Sequence, residues 1–141
     1  MGLFSVLDIS AAGLKVQQTR LEVTATNLAN SRTTAAAGTA PYRPLAVVVH
    51  STVAKGAVKA GTEVLPRPEV VGIVEANGAP SLVYDPGHPD ANAQGFVTLP
   101  GVDPIASMVD VAAVSRSYEA NLRVFDVTRS LLQRLLALGS K

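Results

Sequence analysis

Seven-residue apolar repeats stand at both ends of this chain, and they constrain its fold more than any other feature. Near the start, Leu7, Leu14, Leu21 and Leu28 recur at that interval, with a second row at Ile9, Val16 and Val23. Near the end, Val111, Tyr118, Phe125 and Leu132 repeat it, flanked by Met108, Leu122 and Leu136. A repeat of seven keeps one seam of a helix turned toward a partner helix. Two such segments joined by a non-helical middle are expected to fold back on each other as an antiparallel coiled coil.

The first helix is expected over residues 5–30, opened by Ser5 or Asp8 and closed near Asn27 and Asn30. Its two apolar rows lie roughly 200° apart at 100° per residue, so the helix is apolar on two opposed sides. One side serves the C-terminal helix, and the other needs a second partner. Gly13, beside Ala11 and Ala12, costs about 1 kcal/mol of helix propensity but allows close backbone approach. The second helix is expected to start at Asp103-Pro104, an N-cap followed by a first-turn proline, and to run to Leu138, where Gly139 stops it. Val124, Val127, Leu131, Leu135 and Leu138 form another apolar row on it. Both helices carry more apolar surface than a two-helix hairpin covers, which points to assembly with further subunits.

Between the helices the signals are those of turns and strands. Residues 31–44 (SRTTAAAGTAPYRP) read as a linker. Leu45–Thr52 reads as a strand, Lys55–Gly61 as a loop, and Glu69–Glu75 as a second strand with Gly72 at a bulge. Asn77-Gly78 signals a tight turn, after which Ser81–Tyr84 is expected to pair back as a third strand. Tyr84–Ala93 is irregular, and Gly95–Leu99 is a short strand. The fold class is mainly α with a small β part. The expected divisions are 1–32 and 103–141 for the helices of the coiled-coil domain, and 33–102 for the linker and a β-hairpin-like extension.

Composition narrows the function classes. Ala, Val and Leu dominate the 48% apolar content, with three Phe, three Tyr and no Trp, which suits close helix packing better than a ligand pocket. The net charge of +1 gives no global pull toward a nucleic-acid backbone. It is unevenly spread: residues 1–62 hold six basic and two acidic groups, and residues 63–126 hold three and nine. Such asymmetry fits contacts between unlike surfaces of neighbouring subunits, or a simply solvated surface. The absence of cysteine removes disulfides, thiol catalysis and thiolate-bound zinc. No apolar run approaches the ~20 residues of a bilayer span. The start, MGLFSVLDIS, lacks the pattern of a cleaved secretory leader, and the position that would complete a myristoylation motif holds Val6.

The one cluster resembling chemistry is Asp85, His88 and Asp90 in YDPGHPD. Carboxylates and imidazole ligate metals, but the second histidine, His50, lies in a strand, and prolines with aspartates explain the segment as turn chemistry. No phosphate loop and no nucleophile–base arrangement accompanies it, so no catalytic, cofactor or metal residues are assigned and no small-molecule substrate is expected. Polar residues within the seams are harder to place. Asn27 and Asn30 end the first helix, while Arg116, Glu119 and Asn121 interrupt the second. They read either as a cap and a solvated turn, or as hydrogen-bonding groups that fix register between packed helices.

These segments carry a family resemblance. LEVTATNLANSRTT (Leu21–Thr34) resembles the N-terminal signature of the bacterial flagellar rod and hook axial proteins. PYRP (Pro41–Pro44), VYDPGHPDANAQGFVTLPGVD (Val83–Asp103) and MVDVAAVSRSYEANL (Met108–Leu122) are similar to a short basal-body rod member of that family. Departures are mild: Pro104-Ile105-Ala106-Ser107 replaces the usual approach to the second helix, and Arg129 stands where lysine is common. The resemblance implies a proximal-rod subunit of the flagellar basal body, exported through the type III apparatus without a cleaved leader. It would pack helically with copies of itself and other rod proteins into the driveshaft that crosses the periplasm. Subunit packing would fall to the seam residues Leu7, Leu14, Leu21, Leu28, Met108, Val111, Tyr118, Leu122, Phe125 and Leu132, with Asn27, Asn30, Arg116, Glu119 and Asn121. Another rod or hook subunit, a soluble coiled-coil adaptor or a secretion chaperone are the alternative readings.

Overall fold

A computed structural model of the chain describes residues 3–36, 38–53 and 65–139. The expected loop Lys55–Gly61 lies outside these residues. Two helices dominate: α1 (Leu3–Asn30) and α2 (Pro104–Gly139). At 1.5 Å per residue they are about 42 and 54 Å long. Among the described residues, four strands lie between them: β1 (Leu45–Thr52), β2 (Arg67–Glu75), β3 (Ser81–Tyr84) and β4 (Phe96–Leu99). The chain is thus mainly helical with a small β part, and its terminal helices pair.

The pairing is antiparallel. Asn121 of α2 meets α1 at Gly13, while Ser107, Asp110 and Val114 share a groove with Arg20, Val23, Thr24 and Asn27. A Cβ at Gly13 would stand 3.3 Å from the Asn121 Nδ2, so the glycine makes room for that amide at the crossing. The inward residues of α2 follow a strict 3–4 spacing. Ser107, Val111, Val114, Tyr118, Asn121, Phe125, Thr128 and Leu132 are all at least half-buried, and Thr128 is buried. The Thr128 hydroxyl is tolerated there because it donates to the Val124 carbonyl at 2.8 Å, leaving no unsatisfied group. Asp103 caps the helix as expected: its Oδ1 accepts from the amides of Ile105 at 2.8 Å and Ala106 at 3.2 Å. The start of α1 differs from expectation, since the described helix already includes Leu3, ahead of both Ser5 and Asp8.

The second side of α1 finds its partner inside the chain. β1 and β2 form an antiparallel hairpin, and both strands pack on α1. Val16 and Val23, 5% and 7% exposed, are the buried apolar residues of this layer, covered where α2 and the hairpin converge on α1. Val48 faces Gly72 and Val49 faces Val70, so Val71 is an extra residue and the bulge falls beside Gly72.

The third strand corrects the sequence reading. β3 pairs with β4, not with β2, and the described residues of the middle region form two separate two-stranded sheets. Asn77-Gly78 makes no hairpin turn; residues 76–80 are an irregular connection between the sheets. The linker supports the second sheet: the Ala35 amide bridges to the Thr98 carbonyl, and the Thr34 hydroxyl donates to Asp90 at 2.5 Å. Val97, at 3% exposure, and Pro100 are buried beneath it.

Candidate functional site

Three hydrogen bonds from the linker and β1 converge on the Asn27 side chain. It lies near the end of α1, one face of which is turned to the linker. Its Nδ2 donates to the Leu45 carbonyl at 2.8 Å, and its Oδ1 accepts from the Leu45 amide at 2.8 Å and the Tyr42 hydroxyl at 2.8 Å. Both backbone groups of Leu45, the first residue of β1, are therefore satisfied by one side chain, as a neighbouring strand would satisfy them. Burial of the Tyr42 hydroxyl pushes its pKa above the ordinary tyrosine value. Next to it, Arg43 and Glu75 pair at 2.9 Å, but the side chains are 69% and 60% exposed, so the pair contributes little. The Ala76 amide donates to the Pro44 carbonyl at 2.7 Å, tying the hairpin's exit to its entry.

Immediately beyond, two stretches of backbone cross at a pair of glycines. A Cβ at Gly78 would sit 2.5 Å from the Gly101 carbonyl oxygen and 2.8 Å from Pro44, and one at Gly101 would meet the Ala79 oxygen at 2.5 Å. Backbone atoms cannot swing aside as side chains do, so neither position accepts a side chain without a shift of main chain. The segment leaving β2, the segment entering β1 and the approach to α2 are thereby locked together. The motifs that carry the family resemblance, NLAN, PYRP and LPGVD, are far apart in sequence and meet at this junction. Beside it lies an open groove of about 460 Å³, lined by residues 40–43, 76–80 and Gly101.

The YDPGHPD segment leads from the end of β3 into its connection with β4; Asp85 and His88 bond its own backbone, while Asp90 accepts from the Thr34 hydroxyl of the linker. Asp85 Oδ1 accepts from the Gly87 amide at 3.3 Å, and His88 Nδ1 accepts from the Asp90 amide at 3.1 Å. The His88 Nδ1 lies 3.8 Å from the Asp90 carboxylate, beyond hydrogen-bonding distance. Gly95 closes the loop at a φ of 82°, beneath Tyr84, whose ring meets Phe96 edge-on at 5.3 Å. Among the described residues no three His, Asp or Glu side chains gather closely enough to hold a metal ion.

The seam residues divide by exposure. Val111, Tyr118, Asn121, Phe125 and Leu132 face α1 and are half-buried, as are Leu7, Leu14, Leu21 and Leu28 on α1. Met108 and Leu122 are exposed, as are Arg116 and Glu119. Asn30 serves its own helix end, donating to the Thr26 carbonyl at 2.9 Å and accepting from Thr33. Asn27 is bonded to the linker and β1, not to α2. Outside the seam, Val109, Val124, Val127, Leu131, Leu135 and Leu138 on α2 are all at least half exposed. The accessible surface is 9762 Å², against about 6,900 Å² for a monomeric protein of this mass.

Comparison with known proteins finds relatives along the whole chain. A protein of Escherichia coli O6:H1 named flagellar basal-body rod protein FlgC is 37% identical over 139 residues, covering 99% of both chains. The FlgC of Bacillus subtilis is 37% identical over 153 residues at the same coverage, and that of Aquifex aeolicus is 36% identical with 95% of each chain covered. The chain belongs to the FlgC family of flagellar basal-body rod proteins. The sequence model described as "Flagellar basal body rod FlgEFG protein C-terminal" matches residues 93–138, which hold β4 and nearly all of α2. Within this FlgC-like chain, sequence reasoning missed Tyr42, Leu45, Gly78 and Gly101 as site residues. A paired-glycine crossing leaves no periodic trace, and the Asn77-Gly78 dipeptide mimics a hairpin turn.

Proposed function

We infer that the chain is a structural subunit of the bacterial flagellar basal-body rod. The observation that carries this reading is the combination of full-length likeness to FlgC proteins with apolar helix faces left uncovered in the single chain. A helix pair that covers only one seam of α2 is unfinished as a soluble fold and complete as a repeating unit. The full-length likeness to FlgC proteins favours the rod over a soluble coiled-coil adaptor. The finer reading is a proximal-rod subunit that polymerises helically with copies of itself and other rod proteins to transmit motor torque. Its packing surface takes in the seam residues and the outer stripe of α2, with Met108, Leu122, Arg116 and Glu119 turned to neighbours. The groups of the YDPGHPD loop shape a turn and carry no catalytic duty. Export runs through the type III apparatus, the N-terminus is retained, and the mature rod crosses the periplasm.

Electron microscopy of purified basal bodies, with this chain traced in the rod, tests the assignment directly. Density for the chain outside the rod overturns it. Mass spectrometry of the subunit extracted from basal bodies tests the export route, which fails if some twenty N-terminal residues have been removed.

A further inference from the structure

We propose that Asn27 is the positioning residue that holds the β1–β2 hairpin in place along α1. The hairpin touches α1 elsewhere through apolar residues: Leu45, Ala46 and Val47 beside Val23, and Val70 beside Val16. Such contacts are non-directional, so they bring the hairpin to the helix without fixing where along it the strands begin. The Asn27 carboxamide adds direction. It engages the donor and the acceptor of Leu45 at once, at the residue where linker becomes strand, and Tyr42 holds the amide oxygen from the linker side. Only a carboxamide of this length serves: aspartate has no hydrogen to give the Leu45 carbonyl, and leucine satisfies neither group. None of these bonds reaches α2. Removing them therefore frees the hairpin and leaves the helix pair intact, which separates positioning from a general contribution to folding.

The chain's lack of cysteine supplies the test. One cysteine pair at Lys15 and Glu69, which line the same groove between α1 and β2, reports hairpin docking. A second pair at Thr24 and Asp110, which line a groove shared by α1 and α2, reports helix pairing. Each pair is joined by a short bifunctional thiol reagent in the purified full chain, so the outcome does not depend on incorporation into a rod. Asn27→Asp and Asn27→Leu are expected to lower the first crosslink about tenfold, the shift produced by losing one hydrogen bond that leaves a part-buried backbone group unpaired. The second crosslink stays at its starting yield, and Tyr42→Phe lowers the first by less. An unchanged first crosslink in both Asn27 variants overturns the proposal. So does a parallel loss of both crosslinks, because that marks Asn27 as a general folding residue.

Discussion

The two helices of this chain are built from the same kind of sequence and meet different fates. α1 is apolar on two sides and both are covered, one by α2 and the other by the β1–β2 hairpin, which leaves Val16 and Val23 buried. α2 is longer and equally rich in Leu and Val, but among the described elements it packs on α1 alone. Its one buried residue is Thr128, while Leu131 is 50% exposed and Leu138 74% exposed. A seven-residue repeat states that a face needs a partner without saying whether the partner lies in the same chain. α1 is finished by intramolecular contacts. α2 keeps an apolar stripe uncovered in the single chain.

This contrast predicts where substitutions strike. The largest effect belongs to the junction that both helices share. Gly101→Val places carbons against two stretches of backbone and is expected to cost 3 kcal/mol or more, to order of magnitude; a thermal midpoint within a degree or two of the parent refutes the crossing as described. Next comes a paired comparison. Val23→Asp buries an unpaired carboxylate and is expected to destabilise the isolated chain by about 3 kcal/mol. Leu131→Asp, on the open stripe, is expected to shift it by less than about 0.5 kcal/mol yet block incorporation into rods. If both variants unfold the isolated chain alike, α2 is covered in the monomer and the contrast between the helices is broken.

Smaller effects sharpen the picture. Asp103→Ala removes the cap of α2 and is expected to cost about 1 kcal/mol, read as fraying of the first turn by amide exchange with α1 unaffected. Tyr42→Phe deletes one bond to Asn27 at about 1 kcal/mol. Because the folded-state pKa of Tyr42 lies above its unfolded value of 10.0, the folded state favours the protonated hydroxyl. Its contribution is complete below pH 10 and is lost as pH climbs through the folded value; the phenylalanine variant should lack that alkaline decline. Arg43→Ala, which breaks an exposed ion pair, is expected to move stability by less than about 0.5 kcal/mol at any salt concentration.

Much of this architecture is legible in the sequence alone. One heptad row of α2 follows from Val111, Tyr118, Phe125 and Leu132, although Met108, Leu122 and Leu136, expected to flank it, are exposed and the second inward row is Ser107, Val114, Asn121 and Thr128; the Asp103-Pro104 start follows from cap chemistry; and β1 follows from its run of valines between a proline-containing linker and a loop. These are local signals, set by side-chain period and by groups one turn apart. Exposure of the outer stripe was also foreseeable, since its apolar row has no counterpart within the chain. The polar residues were less readable. Asn27 sits in a seam and invites a helix–helix role, yet its partners are Tyr42 and Leu45, fifteen and eighteen residues on.

What the sequence by itself determined is therefore the elements, their apolar faces and the family to which the motifs belong, because each rests on spacing within one segment. Tertiary structure alone decided that β3 pairs with β4 instead of β2, that the hairpin covers the far side of α1, and that Gly78 and Gly101 must lack side chains. Those outcomes turn on which surfaces meet after the chain folds back. A strand edge or an apolar face accepts many partners of similar energy, and the choice among them is made by the few directional or steric contacts, here Asn27 with Leu45 and Gly78 with Gly101, that only one arrangement satisfies.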